Sequence, residues 1–378
     1  MSTRVTMQDI ADALGLSRNT VSKAINNTGI IAQSTRELIL RKAMEMGYRQ
    51  FSDASFSGVS ISGVNPAGFS QAITSGVSPV QPASTDRREI ALITASRPGN
   101  SHFGVTTLDR MQQIFSSYGY SLTIYTLLPG DLDLLRLPGN LNTSNLAGIF
   151  SIELFHYEYC RMLSSLGLPF LMIDGPAEFH RDDISADLLL MENKKGIYTF
   201  LQQMAAKGKK TVGFIGNMKH CRSFFERGAA CISAAAYYGY EPVQPYSILV
   251  YPPKTSPARI ADSAEELYVM LRKIPVLPEI LICANDFLAI NLISSLRRMG
   301  VSCPEDILVL GFDDSPESRF HSPSLSTVHI HTQGMGRIAA ELLLGRITDI
   351  SREYRITYMP TELILRESTG EGHPLVMT

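Results

Sequence analysis

The first fifty residues carry apolar side chains at helical spacing. Apolar positions recur every three or four residues through residues 7–14, and Gly15 interrupts the pattern. A second helix is expected from the residue after Ser17, whose hydroxyl can cap it, to about residue 26. A third helix is expected over residues 34–46, followed by a glycine that favours its end. The pattern predicts a small, all-helical N-terminal unit.

Beyond residue 87, short apolar runs alternate with longer amphipathic segments. Candidate strands are residues 90–94, 121–125, 148–152, 170–173, 211–215, 280–283 and 307–311. Candidate helices are residues 107–118, 195–206, 225–238, 263–272 and 287–299. Because the strands are rich in Val, Ile and Leu and alternate with helices, we expect parallel sheets that are covered on both faces.

The length of this second region predicts two Rossmann-like lobes rather than one very large sheet. We expect the first lobe to contain residues 88–187 and a returning segment near 332–358. The second lobe then contains residues 188–331 and the final strand. Carboxyl ends of parallel strands in such lobes commonly border a ligand cleft.

A change in composition separates the two regions. Residues 51–86 are rich in Ser, Gly and Pro and contain no Lys or Arg, which is typical of a linker. The expected organisation is therefore a helical domain over residues 1–50, a linker over 51–86 and an α/β core over 87–370. Residues 371–378 are expected to form a disordered tail.

Charge and cysteine usage narrow the function classes. The chain of 378 residues has a formal net charge of −2, so any affinity for nucleic acid must come from a local basic region. Residues 1–50 contain seven Lys or Arg and four Asp or Glu, a local charge of +3. The five cysteines form no CxxC pair, so neither a disulfide, a metal nor another cofactor is expected. No secretion signal or membrane span is expected, which favours the cytoplasm.

Three small or apolar positions predict how the first two helices pack. Ala11 is small where two helices would cross, Gly15 relaxes a tight turn, and Val21 supplies an apolar contact from the second helix. This spacing is typical of a helix-turn-helix, whose second helix enters the major groove of DNA. The sequence therefore predicts a DNA-binding unit in the region that holds the basic excess.

A longer run of residues resembles a known family. The segment VTMQDIADALGLSRNTVSKAINN, followed by STRELILRKAMEMGYR, resembles the DNA-binding headpiece of the lactose-repressor (LacI–GalR) family. The segments PEILICANDFLAINLISSLRRMGVSCPEDILVLGFDDSPESRFHSPSLSTV and PTELILRES resemble the sensor core of the same family. The resemblance implies an all-α helix-turn-helix headpiece joined to a two-lobed, periplasmic-binding-protein-like α/β core. It also implies a homodimeric regulator, most simply a repressor, of a near-palindromic operator that responds to a small effector, often a sugar.

The candidate DNA contacts lie mainly on the second helix. Arg18 and Asn19 occupy its exposed start, and their side chains suit the major-groove edges of guanine and adenine, respectively. The resemblance implies further base or phosphate contacts from Ser22, Lys23 and Asn26, and backbone-positioning contacts from Thr6, Ser17, Thr20, Thr35 and Tyr48. The alternative is that Thr6 and Ser17 serve only as helix caps and that Lys23 is a solvated charge.

The candidate effector contacts follow predicted strands. Asp174, Asn285 and Asp313 each come just after an apolar run. At such positions a carboxylate can accept hydrogen bonds from sugar hydroxyls, and an amide can both accept and donate them. The resemblance places the effector against Asn100, Phe103, Asp174, Arg227, Asn285 and Asp313. The alternatives are that Asp313 only caps a turn and that Arg227 is a surface charge on a helix.

The chain departs from the family pattern in several places. Leu146 stands where the family usually has an aspartate, and His102 and Gly104 differ from the usual first-lobe turn. The stretch QFSDASFSGVSISG lacks the basic, leucine-bearing hinge helix of the family, so no minor-groove contact is assigned.

Two other function classes share this kind of core. A solute-binding protein would need a secretion signal and would not need the helical headpiece. An enzyme on a Rossmann-like scaffold would need a constellation of catalytic groups, but the chain has no GxGxxG after the first strand and no Walker loop. We therefore expect a regulator rather than an enzyme.

Overall fold

The computed structural model describes two compact units, residues 1–78 and 79–378, which are treated separately below. The described residues are 6–25, 88–95, 102–178, 180–181, 183–250 and 264–371, with single positions at 35, 38, 39, 42, 43 and 46. The expected linker, the segment that would hold a hinge helix and residues 372–378 of the expected tail lie outside these residues. Glu371, the first residue of the expected tail, is described, and its carboxylate lies 2.6 Å from Lys207 Nζ.

The first unit begins with two helices, α1 (Met7–Leu14) and α2 (Arg18–Ile25). Thr6 caps α1 reciprocally, since its hydroxyl accepts the Asp9 amide at 3.3 Å and the Asp9 carboxylate accepts the Thr6 amide at 2.7 Å. Gly15 ends the helix at φ 64°, a left-handed conformation that few other residues adopt without strain. The two helices match the predicted helix-turn-helix.

A small apolar core holds these helices together. Its fully buried members are Ile10, Ala11, Val21, Ala24, Ile39 and Ala43. The small Ala11 and the apolar Val21 therefore occupy the packing positions that the sequence predicted. Most of the expected third helix lies outside the described residues, but its described positions Ile39 and Ala43 belong to this core.

The second unit is an α/β core with eleven strands in its described part. The strands are β1 (Glu89–Thr94), β2 (Ser121–Thr126), β3 (Leu146–Ile152), β4 (Phe170–Ile173), β5 (Asp187–Met191), β6 (Val212–Ile215), β7 (Ile280–Cys283), β8 (Leu308–Leu310), β9 (Thr327–Ile330), β10 (Ile356–Met359) and β11 (Thr361–Ile364). The α-helices are α3 (His102–Ser117), α4 (Pro129–Asp133), α5 (Tyr157–Ser164), α6 (Lys195–Ala206), α7 (Arg222–Tyr238), α8 (Ala264–Leu271), α9 (Asp286–Arg298), α10 (Pro316–Phe320) and α11 (Thr332–Thr348).

The first lobe is built on a six-stranded parallel sheet in the order β10-β5-β4-β3-β1-β2. Separate apolar clusters cover its two faces. One contains Phe115 of α3 and Leu343 of α11, and the other contains Tyr159 and Leu163 of α5. Helices α3 and α11 pack closely, because a Cβ at Gly336 would lie 2.5 Å from the carbonyl oxygen of Thr107. The covered parallel sheet confirms the expectation from the apolar runs.

The second lobe contains a three-stranded parallel sheet, β6-β7-β8, and a two-stranded pair, β9-β11. The pair is antiparallel, which corrects the expectation of purely parallel sheets. The reason is topological: β9 leads out of this lobe into α11, whereas β11 leads back into it from β10, so the two strands run in opposite directions.

Three segments join the lobes: residues 192–194 between β5 and α6, His331 between β9 and α11, and Pro360 between β10 and β11. The sequence placed the first boundary at 187/188, but β5 pairs with β4 and β10 and so belongs to the first lobe. This prediction was wrong by one strand: β5 lies between β4 and β10 in the first-lobe sheet, and β10 comes from a segment more than 160 residues away.

Two further features bear on the function classes. Cys160, Cys221, Cys231 and Cys283 are buried and free, and Cys303 is half-buried and free. Burial raises the pKa of Cys160 and Cys231 to about 12, which keeps these thiols protonated. Within the described ranges, no helix is both long and apolar enough to cross a bilayer.

Candidate DNA-binding helix and effector cleft

Helix α2 presents a polar face opposite its buried one. Val21 and Ala24 pack into the apolar core, whereas Arg18, Asn19 and Lys23 are exposed. Positions 19 and 23 are one helical turn apart and lie on the same side. This face is therefore free to enter a groove while the opposite face holds the helix on α1. Ser22, which is half-buried, flanks it.

The hydroxyl residues near the turn have structural roles. The Ser17 hydroxyl accepts the Thr20 amide at 3.0 Å and lies 2.8 Å from the Thr20 hydroxyl, so it caps the first turn of α2. Thr6 caps α1 in the same way. These contacts match the capping alternative, and a cap can still donate to a phosphate, so the DNA contacts of these residues stay predictions. Thr35 is half-buried, and Asn26 and Tyr48 lie outside the described residues.

Arg227 lies at the centre of the candidate effector cleft. Its side chain is only 3% exposed, which excludes the surface-charge alternative. The Nε group donates to Asn193 Oδ1 at 2.9 Å, and Nη1 donates to the carbonyl oxygen of Ala284 at 2.6 Å. The guanidinium carbon lies 3.5 Å from the centroid of the Phe312 ring. A buried cation needs such partners, since desolvation disfavours its charge.

Asp313 supplies the negative charge opposite this arginine. Its Oδ1 lies 3.5 Å from Arg227 Nη1, and its side chain is 26% exposed, so the carboxylate contacts the arginine and remains partly open to solvent. Burial raises the pKa of Asp313, Arg227 opposes this rise, and the carboxylates of Glu153 and Asp174 add to it. Asp313 adopts φ 118°, held by the hydrogen bond from its amide to the Val328 carbonyl.

Asp174 joins the lobes at the end of β4. Its Oδ1 accepts the amides of Gly175 at 2.8 Å and Ser223 at 3.1 Å, and Ser223 lies in the first turn of α7 in the other lobe. The Arg222 amide also donates to the carbonyl oxygen of Gly175 at 2.8 Å. Burial raises the pKa of Asp174. Asp174 thus contributes to lobe contact as well as to the charge of the cleft.

The other predicted effector residues are placed less centrally. Asn285 caps α9, because its Oδ1 accepts the Leu288 amide at 3.0 Å, and it is half-buried beside Ala284. Phe103 lies in the first turn of α3, where the sequence had placed a turn before the helix. Nothing is described for its side chain, and Asn100 lies outside the described residues. The structure therefore gathers Asp174, Arg227 and Asp313, with Asn285 next to them.

Several cleft residues escaped the sequence analysis. His220 packs between Phe155 and Phe224, with ring centroids 5.0 Å apart in both pairs, and burial lowers its pKa to about 4. Asn193 and Glu226 contact the arginines of α7. Asn193 comes just after β5, a strand that was not predicted. Recognition of β5 would have made Asn193 a candidate, because ligands commonly bind at the carboxyl ends of parallel strands.

Comparisons with known proteins bear on both units. Residues 6–50 match the family described as bacterial regulatory proteins, lacI family, and residues 201–369 match the periplasmic binding protein-like domain. The HTH-type transcriptional repressor PurR of Pasteurella multocida (strain Pm70) is 24% identical over 96% of this chain and 98% of its own length. PurR of Haemophilus influenzae (strain ATCC 51907 / DSM 11121 / KW20 / Rd) is also 24% identical, with the same coverage.

Solved structures show the same fold over the whole length. The complex of the transcriptional regulator CelR with cellobiose has a TM-score of 0.64 and 22% identity, over 97% of this chain and 100% of CelR. The lac repressor dimer bound to operator and the anti-inducer ONPF has a TM-score of 0.59 and 16% identity, over 97% and 99%. Both units, the headpiece and the two-lobed core, thus occur together in one chain as in these regulators. Residues 6–50 of this protein therefore form a helix-turn-helix domain of the lacI family, in one chain with a periplasmic binding protein-like core.

Proposed function

We propose that this protein is a homodimeric transcriptional repressor that binds a near-palindromic operator through α2 and is controlled by a sugar or sugar derivative in the core. One observation carries the proposal: a basic, exposed helix face and a two-lobed core with a charged cleft occur in the same chain. A two-fold dimer presents two copies of α2, which is why the operator should be close to a palindrome.

The DNA-reading part of the proposal rests on α2. We assign base contacts to Arg18, which suits the O6/N7 edge of guanine, and to Asn19, which suits the N6/N7 edge of adenine. Phosphate or further base contacts are assigned to Ser22, Lys23 and Asn26, with Thr6, Ser17, Thr20, Thr35 and Tyr48 positioning the backbone. Phosphate contacts fix the register of the headpiece, whereas the two base contacts would select sequence.

The effector part rests on the cleft around Arg227. Asp313 and Asp174 offer carboxylate acceptors, and the aromatic ring of Phe312 backs the arginine. Paired acceptors beside an arginine suit the hydroxyl groups of a carbohydrate. Two members of the fold support this class, since CelR was solved with cellobiose and a LacI family regulator from Enterococcus faecium was solved with bound ribose.

We propose binding rather than catalysis as the role of this core, because its relatives are DNA-binding regulators. The described ranges contain no group of three or more metal-ligating side chains. As an operator-binding protein it would act in the cytoplasm. Residues 1–50 would form the DNA-binding domain, 51–86 the linker and 87–370 the effector-binding and dimerisation domain.

The DNA-reading part is tested with Arg18→Ala. We expect selection of operator sites from a random library to show a strong preference at one base pair for the wild type, and this preference should be lost in the variant. One good arginine–guanine pair contributes about 1–3 kcal/mol of discrimination. Arg337→Ala is the matched control, because Arg337 is an exposed arginine of the core. An unchanged preference in R18A would refute the role of Arg18.

The effector part is tested by thermal shift of the full-length protein against sugars, sugar phosphates, sugar acids and nucleosides. A ligand at about 100 times its Kd stabilises its receptor by about 2.7 kcal/mol, enough to move Tm by a few degrees. Asp313→Asn should remove most of the shift caused by a binding sugar. If sugars and their derivatives give no shift while nucleosides do, the carbohydrate assignment is wrong.

A further inference from the structure

Glu226 is a buried acid on α7 that holds three hydrogen bonds at once. Its side chain is 8% exposed. Its Oε1 accepts the Tyr358 hydroxyl at 2.7 Å and Arg222 Nε at 3.0 Å, and its Oε2 accepts Asn193 Nδ2 at 2.9 Å. A carboxylate in this setting is well satisfied, whereas its loss would leave several buried donors without an acceptor.

Asn193 passes the orientation of Glu226 on to Arg227. A carboxylate only accepts hydrogen bonds and a guanidinium only donates them. The amide of Asn193 must therefore turn Nδ2 towards Glu226 and Oδ1 towards Arg227, whose Nε donates to it at 2.9 Å. The opposite orientation would set donor against donor and acceptor against acceptor. The chemistry of the two neighbours thus fixes the amide in one state.

The members of this chain of contacts come from different parts of the core. Tyr358 lies on β10 at the edge of the first-lobe sheet, and Glu226 and Arg227 lie on α7 of the second lobe. Asn193 lies in the segment that crosses between the lobes. Arg222 Nη2 also donates to the Tyr358 hydroxyl at 3.2 Å. The tyrosine therefore accepts from one residue of the second lobe and donates to another.

We propose that Tyr358, Glu226 and Asn193 form a hydrogen-bond relay across the lobes that positions the guanidinium of Arg227 for the effector. The relay makes the arginine on the second lobe depend on the place of a first-lobe strand. The proposal rests on the proposed function, in which Arg227 contacts the effector. All three are positioning residues.

The direction of the relay follows from which of its members donate hydrogen bonds and which accept them. Burial and the neighbouring Glu226 raise the pKa of Tyr358, so its hydroxyl stays a donor. Separation of the lobes would move this hydroxyl away from Glu226, whose carboxylate would then keep only its hydrogen bonds with Arg222 and Asn193 among these three. Arg227 would then lose part of the support that holds its Nε towards Asn193. Effector affinity and lobe position are coupled by this route, since a ligand that needs the fixed arginine favours the closed arrangement.

A charge-conserving exchange tests the relay. In E226Q alone, one amide N–H₂ must face either Asn193 Nδ2 or the donors Tyr358 and Arg222, so one contact fails. In N193D alone, two carboxylates face each other. In the double variant E226Q/N193D, the new amide at 226 donates to the new carboxylate at 193, which still accepts from Arg227 Nε. The double variant should therefore restore what each single variant breaks.

The readout is the exchange with water of the Arg227 Nε–H proton, measured by NMR on the deuterated, full-length protein without ligand. The resonance is identified by its loss in R227K. We expect about tenfold faster exchange in E226Q and in N193D, the factor that corresponds to about 1.4 kcal/mol, and a rate near that of the wild type in the double variant. Y358F should also accelerate exchange. Y354F should not, because Tyr354 is an exposed tyrosine with its ring on Arg346.

Unchanged exchange in both single variants and in Y358F would overturn the relay, and so would a folded double variant whose exchange is as fast as that of the singles. If a single variant does not fold, Y358F and the double variant decide. Calorimetric titration with cellobiose is measured in parallel: Y358F should weaken binding about tenfold, and equal binding would overturn the link to the effector. Failure of the wild type to bind cellobiose rules out cellobiose as the effector, while the exchange rates still decide the relay.

Discussion

Replacing Arg227 with methionine tests how the cleft holds its buried charge. Methionine is unbranched, uncharged and shorter than arginine, so the variant keeps an apolar side chain in the core while removing the guanidinium with its hydrogen bonds and its contact with the Phe312 ring. Asp313 would lose its cation at 3.5 Å, and the oxygens of Asn193 and Ala284 would lose donors at 2.9 and 2.6 Å. The predicted result is a large loss of stability of the core.

The magnitude follows from these contacts. Removing one partner of a buried ion pair costs about 3–5 kcal/mol, because the other charge stays behind. The separation of 3.5 Å and the 26% exposure of the Asp313 side chain place the ionic part at the lower end of this range. Asp313 can also take up a proton, since its pKa is already raised. With the two orphaned oxygens included, we expect a loss of about 3–4 kcal/mol.

The assay is urea unfolding of R227M at mildly acidic and at alkaline pH. Without Arg227 the pKa of Asp313 rises further, so the folded state holds its proton more firmly than the unfolded state. The contribution of Asp313 to stability is therefore present at low pH and is lost as pH rises. This loss between mildly acidic and alkaline pH should be larger in R227M than in the wild type. The control is R337M, which replaces an exposed arginine. A loss of stability below about 1 kcal/mol in R227M would refute the reasoning, because substitutions on the protein surface already change stability by up to about 0.5 kcal/mol.

Two further changes test other parts of the molecule. Asp286 is buried, and its carboxylate accepts hydrogen bonds from the Thr327 hydroxyl at 2.6 Å and the Ser315 amide at 2.7 Å. Burial, together with repulsion from Asp313, raises the pKa of Asp286. The folded state therefore binds a proton at this residue more firmly than the unfolded state, and the stability of the wild type should fall as pH rises. D286N cannot titrate and should flatten this fall in urea unfolding, whereas an unchanged slope would rule out Asp286 as a source. Thr6→Ala removes the reciprocal cap of α1 and should cost about 1 kcal/mol in the headpiece, read from hydrogen exchange of α1 amides; protection equal to that of the wild type would contradict the role of the cap.

Local chemistry made much of the fold predictable. Helices α1 and α6 have the bounds that the apolar periodicity indicated, and strands β4 and β7 coincide with their apolar runs. The periodicity of buried side chains and the caps at helix ends act within one element, so they are visible without knowledge of its neighbours. The positions of Asp313 and Asp174 after strands also followed from this local pattern.

Strands β9 and β10 escaped prediction because each is stabilised by a pairing partner that the local pattern does not show. Strand β10 has an exposed Ile356 and Tyr358 and forms only by pairing with β5. The sequence cannot show such pairing, since the same short segment would be a loop without its neighbour.

The sequence by itself determined the helix-turn-helix, the two-lobed class of the core and the positions of Asp174 and Asp313 after strands. Only the tertiary structure decided that Arg227 is buried and paired and that Asp174 joins the lobes. It also decided that Glu226, Asn193 and Tyr358 meet beside Arg227. A carboxylate, an amide and a phenol have no chemical relation at separations of more than thirty residues. Folding brings them within hydrogen-bond distance and buries Asn193 and Glu226, whose polar atoms must then find partners within the protein.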